Sequence, residues 1–214
     1  GYWTDVAVMH PEQGRTTKLN IDGLPFKNLE SFLLDKAPIV LATQERFQIF
    51  KNEIQKHVFD NAVLASIPCG IMSDLLTLNY SKANNFTLYG IDIDEASIEM
   101  ALQQAKNLNL ESNTTFIKGN AWDLSLPEPV DVLTSNGLNI YEFDDERVVE
   151  LYRQFHKNIK PGGVFITSFL TPIPLPGSVE FSKLNIDDAR LQRVLLADIL
   201  EVGCQAYRST QKTI

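Results

Sequence analysis

Cysteine is nearly absent: two in 214 residues, Cys69 and Cys204, too few and too far apart for a disulfide framework or a cysteine-rich metal site. Both read as free thiols, and no metal is expected. Runs of lysine and arginine are missing too. The balance of 19 basic against 27 acidic side chains gives a net charge of -8, which disfavours broad attraction to nucleic acid or anionic lipid. Long apolar runs are lacking: stretches such as "GVFITSFL" fall far short of the ~20 residues that span a bilayer. The N-terminus, which begins at Gly1, carries no signal-type apolar region. These shortages predict a cytoplasmic protein with no membrane partner, and the 44% hydrophobic content is ample for a packed core.

Glycine is scarce where a nucleotide loop would use it. "LASIPCGIM", Leu64 to Met72, sits where a buried strand should turn into a helix. A pyrophosphate at a helix N-terminus needs several glycines so that the backbone can approach it closely. Here only Gly70 is present; Pro68 removes an N–H and Met72 adds bulk. A dinucleotide such as NAD is therefore a poor fit. A nucleoside ligand without pyrophosphate needs only one close approach, which Gly70 can provide.

What is there is an alternation of strands and helices. Strands are predicted at 62–67, 86–91, 114–119, 130–135 and 163–170, and their continuous apolarity suits a parallel sheet buried on both faces. Between them, the segment from Asp94 repeats apolar residues at helical spacing. So does the segment from Asp144, with Val148, Leu151, Tyr152, Phe155 and Ile159 on one face and "KPGG" as its stop. An introductory helix over 43–59 places Phe47, Phe50, Ile54 and Val58 together. The first 42 residues, broken by Pro11, Gly14, Gly23 and Pro25, read as an irregular or helical cap before a domain over 43–214.

The second strand ends in "YGIDID", and Asp92 lies 22 residues beyond Gly70, close to the spacing at which an acid meets ribose hydroxyls. Asp94 already fits the helix-capping job, which leaves Asp92 for the ribose.

With "LASIPCGIM" and "LYGIDID", followed in order by "FIKGNAWDL", "VDVLTSNGLNIYE" and "FHKNIKPGGVFITS", the chain resembles the class I S-adenosylmethionine-dependent methyltransferases. The resemblance implies an α/β, Rossmann-like three-layer sandwich: a mostly parallel sheet of order 3-2-1-4-5 with helices on both faces. It implies S-adenosylmethionine as cofactor, held by Ser66, Pro68, Cys69 and Gly70 after the first strand and by Asp92 and Ile93 after the second. Asn120, Ala121 and Trp122 would lie at the adenine, where the carbonyl of Asn120 stands for the usual acid. Ser135, Asn136 and Gly137 would face cofactor and substrate. Ser66 replaces the family's acid at the end of the first strand, while Pro68 and Met72 replace its outer glycines.

Each of these residues has a plainer reading: Asn120 as a turn former, Trp122 as packing, Tyr2, Trp3 and Tyr141 as ordinary aromatics instead of a wall around the methyl group. Arg46 is as well suited to solvent as to a methionine carboxylate. His57 and His156 read as structural, and His10, Asp5 and Tyr141 are weak candidates for a base. The fourth-strand loop lacks the Asn/Asp-Pro-Pro-aromatic motif of base-methylating enzymes, which with the acidic charge favours a small-molecule acceptor over nucleic acid. Two rivals stand beside an active methyltransferase: a non-catalytic cofactor-binding or scaffolding domain, and another enzyme on the same fold such as an aminopropyl transferase. Past the fifth strand, "DDARLQRVLLADILEVG" predicts a helix with Leu191, Val194, Leu195, Ile199 and Val202 on one face. Only "CQAYRSTQKTI" follows, too short for both closing strands of such a sheet. The expectation is five or six strands and a natural protein that continues past Ile214.

Overall fold

The computed structural model describes residues 1–20, 22–199, 203 and 205–213. Cys204 and Val202, singled out above, lie outside the described residues.

The chain divides into two compact units, one of residues 1–2, 49–170 and 205–207, the other of residues 3–48, 171–204 and 208–214. The N-terminal stretch is more regular than its punctuation suggests: α1 (Tyr2–Met9), α2 (Gly14–Thr17) and α3 (Asn28–Asp35) precede α4 (Pro38–Gln55). Pro11 falls between α1 and α2, Gly14 opens α2, and Gly23 and Pro25 fall between α2 and α3, but each of these helices is too short for a helical period to show in the sequence. Helix α4 begins five residues before the expected start, at a proline, which is tolerated in a first turn because its missing N–H would go unpaired there. Within the second unit, His10 is buried and contacts Asp35 Oδ1 through Nε2 at 3.1 Å. Asp35 also accepts from Arg15 Nε at 3.0 Å, and Phe26 meets the imidazole edge-on at 5.2 Å. His10, weighed as a base, is a structural node of this unit.

The first unit holds the sheet. Its elements are β1 (Ala62–Ser66), α5 (Ser73–Leu76), β2 (Phe86–Asp92), α6 (Glu95–Asn107), β3 (Thr114–Lys118), β4 (Val130–Ser135), α7 (Asp145–Lys157) and β5 (Ile159–Thr167). All pairings are parallel, in the order β3-β2-β1-β4-β5. Side chains alternate between two cores, as the period of two requires. Leu64, Leu88 and Val132 pack with Phe50 and Ile54 of α4, Leu75 of α5 and Ala101 of α6. Val63, Ala65, Ile91 and Leu133 pack with Leu151 and Phe155 of α7. Asp94 caps α6 as expected, accepting from the amides of Ala96 and Ser97.

Expectations for the second half of the chain need correction: α7 ends at Lys157, so Ile159 is not on its face. β5 starts at Ile159, not 163, because "KPGG" forms a bulge inside the strand: Val130 pairs with Ile159, but Val132 pairs with Val164. Beyond β5 the segment carries α8 (Val179–Ser182), α9 (Ile186–Arg193), a π-helical stretch (Val194–Ile199) and α10 (Thr210–Thr213). The expected C-terminal helix thus breaks in two, and none of its described residues is buried. An apolar stripe marks what a helix is able to bury, and here the described residues form no core against it. Five strands pair in one sheet among the described residues; near the end of the chain Tyr207 makes only an isolated bridge to Leu170. No helix of the described residues is long and apolar enough to cross a membrane.

Met72, read from sequence as bulk in the ligand loop, turns away into the core. It is 1% exposed, with φ of 63°. Gly90 in the middle of β2 makes room for it: a Cβ there would lie 2.6 Å from Phe116 Cδ1 and 2.9 Å from Met72 Sδ. Gly90→Ala should therefore cost about 1–3 kcal/mol through overpacking. Thermal melting checks this; an unchanged Tm would show that the Phe116 ring yields freely.

Candidate functional site

Open parallel sheets bind ligands beyond the carboxyl ends of their strands, where the connections reverse direction. Here that point lies between β1 and β4. The residues read from sequence as cofactor-binding stand at the ends of β1, β2, β3 and β4, all within one compact unit, whereas Trp3, Asp5, His10 and Arg46 belong to the other.

After β1 the chain turns through Ile67–Pro68, a cis peptide, to Cys69, Gly70 and Met72. Four backbone amides of this loop are bonded, that of Ile67 to the Thr134 carbonyl at 2.9 Å and three more. The Cys69 amide donates to the Ile91 carbonyl at 2.8 Å, Met72 donates to Cys69 at 2.7 Å, and Gly70 donates to Asp92 Oδ2 at 2.8 Å. Asp92 Oδ1 accepts from the amide of Asp94 at 3.0 Å. Each carboxylate oxygen has two acceptor positions, so each retains one for a ligand hydroxyl. Gly70 has φ of 51°, and a Cβ there would have only the nitrogen of Gly1 nearby, at 3.9 Å. The loop thus presents open backbone beside a buried acid, which is what the sugar of a nucleoside needs. Cys69 is buried, and burial first, then the charges of Asp92 and Asp74, push its thiol well up from the ordinary value. It is held as a neutral thiol.

At the end of β3, Asn120 Oδ1 accepts from the Trp122 amide at 3.0 Å and caps the 3-10 turn of Ala121–Asp123. The turn-forming reading of Asn120 is therefore realised, and its carbonyl keeps a second acceptor position. Trp122 is tied to α7: its indole donates to the Arg147 carbonyl at 2.9 Å, and the Arg147 guanidinium lies 5.5 Å from the ring centre. Ala121 is buried, whereas Ile93 is 69% exposed beside Asp92. At the end of β4, Ser135 is buried and its carbonyl accepts from Thr167 Oγ1 at 3.0 Å. Asn136 accepts from Ser168 at 3.2 Å, and Gly137 turns the chain at φ of 86° into the short helix Leu138–Tyr141. Tyr141 is exposed, His156 lies exposed on the last turn of α7, and Arg46 lies on α4, half-buried.

Sequence reading missed Asp74. An acid in the first turn of a helix looks like ordinary dipole compensation. Asp74 is instead buried, and its Oδ2 accepts from Ser66 Oγ at 2.9 Å and Thr134 Oγ1 at 2.8 Å. Burial pushes its carboxyl up, against the opposing pull of Thr134, Ser66 and the backbone amides of Leu75 and Asp74. The detectable signal was a hydroxyl residue near the end of each of two buried strands, Ser66 and Thr134, which need a polar partner once buried.

A five-stranded parallel sheet reversing between β1 and β4, with an acid at the end of β2 bonded to the loop after β1, is a Rossmann-like architecture. Residues 59–171, more than half of the 214, match a family model described as a methyltransferase domain. A possible exported protein from Bordetella parapertussis is 38% identical, with 99% of this chain and 69% of that chain covered and a TM-score of 0.87. A methyltransferase from Geobacter sulfurreducens, solved with S-adenosyl-L-homocysteine, shares the fold at a TM-score of 0.50 and 17% identity, over 74% of this chain and 63% of that one. The chain belongs to the S-adenosylmethionine-dependent methyltransferases of Rossmann-like fold.

Proposed function

We propose that the site beyond β1, β2 and β4 binds S-adenosylmethionine through Gly70 and Asp92 and directs its methyl group to a small-molecule acceptor. The carrying observation is the 2.8 Å bond from the Gly70 amide to Asp92, which joins open backbone and acid into one cradle. When bound, the cofactor supplies a methyl group on a sulfonium, an already activated leaving group. The chain's own residues then have the work of binding and orienting. Asp92 accepts from the ribose hydroxyls through the remaining acceptor positions of its two oxygens. Gly70 lets the backbone approach closely, with Pro68, Cys69 and the end of β1 at Ser66 forming the wall behind it. Asn120 accepts from the adenine amino group, Ala121 offers its amide to the ring, and Ile93 and Trp122 supply apolar surface at its edges. Ser135, Asn136 and Gly137 form the boundary with the acceptor.

A small-molecule acceptor is supported by the net charge of -8, the absence of a basic run and the sequence "SNGLNIY" after β4. Thermal-shift and calorimetric titration with S-adenosylmethionine, S-adenosylhomocysteine, NAD and NADP test the ligand. The first two should raise the Tm, by the equivalent of about 2.7 kcal/mol at a hundredfold excess over Kd, and the dinucleotides should not. Transfer of labelled methyl groups to a small-molecule panel, with RNA and protein arms, tests the acceptor class. Label appearing only in RNA or protein would overturn that part of the reading.

A further inference from the structure

We propose that Asp74 is a positioning residue for this site: it clamps the ends of the two central strands to the first turn of α5 and so fixes the loop that carries Gly70. This rests on the reading that Gly70 and Asp92 hold the cofactor.

Ser66 and Thr134 are register partners on β1 and β4, at the point where the sheet's connections reverse. Both are buried, and both hydroxyls reach a single oxygen of Asp74, at 2.9 and 2.8 Å. The loop 67–72 leaves β1 directly after Ser66 and enters α5 directly before Ser73, so the Ser66–Asp74 bond closes it at its base. Above that closure the amides of Cys69 and Gly70 are held by β2, through Ile91 and Asp92. Removing the closure frees the loop at one end while leaving its other anchors in place.

The donor set converges on one atom: both hydroxyls donate to Asp74 Oδ2. The backbone amides of Leu75 and Asp74 also favour its ionised form. An asparagine turned with its one oxygen at the Oδ2 position can still meet both hydroxyls, so alanine is the variant that opens the clamp. The Thr134 hydroxyl has the Ala65 carbonyl as an alternative acceptor at 3.3 Å, which gives β4 a second resting arrangement once the clamp is lost. A buried carboxylate is costly unless its donors are supplied, and these donors come from the three elements that frame the site.

Calorimetric titration of the whole chain with S-adenosylhomocysteine tests this, alongside hydrogen exchange of the Gly70 amide in the free protein. Asp74→Ala should raise Kd at least tenfold and lower the protection of the Gly70 amide at least tenfold. Phe155→Leu, a core change on the opposite face of the sheet, should lower the Tm while leaving Kd within twofold, which separates positioning from general loss of stability. Thr134→Val, which keeps shape and removes one donor, should raise Kd severalfold. An unchanged Kd and unchanged Gly70 protection in both Asp74→Ala and Thr134→Val would overturn the proposal. If the unaltered protein binds neither S-adenosylmethionine nor S-adenosylhomocysteine, the cofactor reading falls with it; if it binds and the variants bind equally, only the clamp falls.

Discussion

Asp92→Ala should weaken S-adenosylmethionine binding by about 10- to 150-fold for each ribose hydrogen bond lost, since bonds to a charged group contribute about 1.5–3 kcal/mol. Two effects add in this variant. The direct one is the loss of the carboxylate that accepts from the sugar. The indirect one is that the amides of Gly70 and Asp94, which donate to its two oxygens at 2.8 and 3.0 Å, lose their acceptor. Asp92→Asn separates the two, because its single carbonyl can still hold one amide while the charge is gone. Calorimetry on both variants, with melting of the free proteins as the control, measures the split. Affinity equal to that of the unaltered protein in Asp92→Ala would remove the acid from the site.

The sheet was legible because it is built from short apolar runs bounded by turn residues, and β1 is buried at every position. The order of the strands followed only from resemblance, since nothing in the apolarity of "AVLAS" says that its neighbours are β2 and β4. Asp92 and Gly70 were legible because their spacing reflects one turn of helix and strand between two loop ends. Asp74 was not, since the distance from Ser66 and Thr134 that defines it is a three-dimensional fact: Thr134 is 60 residues away along the chain. Met72 was misread for the same reason. Its sequence position places it in the loop, but its left-handed backbone turns the side chain inward, toward space that Gly90 leaves open on β2. The first 42 residues and the segment after β5 were least legible, because their helices are four to eight residues long up to α4, and an amphipathic pattern needs a longer window to stand out.

Gly70→Val is expected to separate binding from folding more sharply than any other single change in the loop. With φ of 51° the glycine occupies the left-handed region, where a β-branched residue is a genuine outlier and costs roughly 1–2 kcal/mol. No protein atom would clash with the new Cβ, since its nearest neighbour is 3.9 Å away, so the free protein loses only that backbone term. Cofactor binding loses far more, because the valine methyl groups fill the open space in which the backbone meets the ligand. Gly70→Ala, with the same backbone strain and a single methyl group, should fall between the two. The order of Kd should therefore be glycine, alanine, valine from tightest to weakest, with the valine protein at least 100-fold weaker, on the order of 3 kcal/mol. The alanine and valine proteins should melt close to one another. Equal affinities across the series would mean that the ligand does not approach this loop, whereas a loss of Tm that tracks the loss of affinity would mean that Gly70 serves the fold alone.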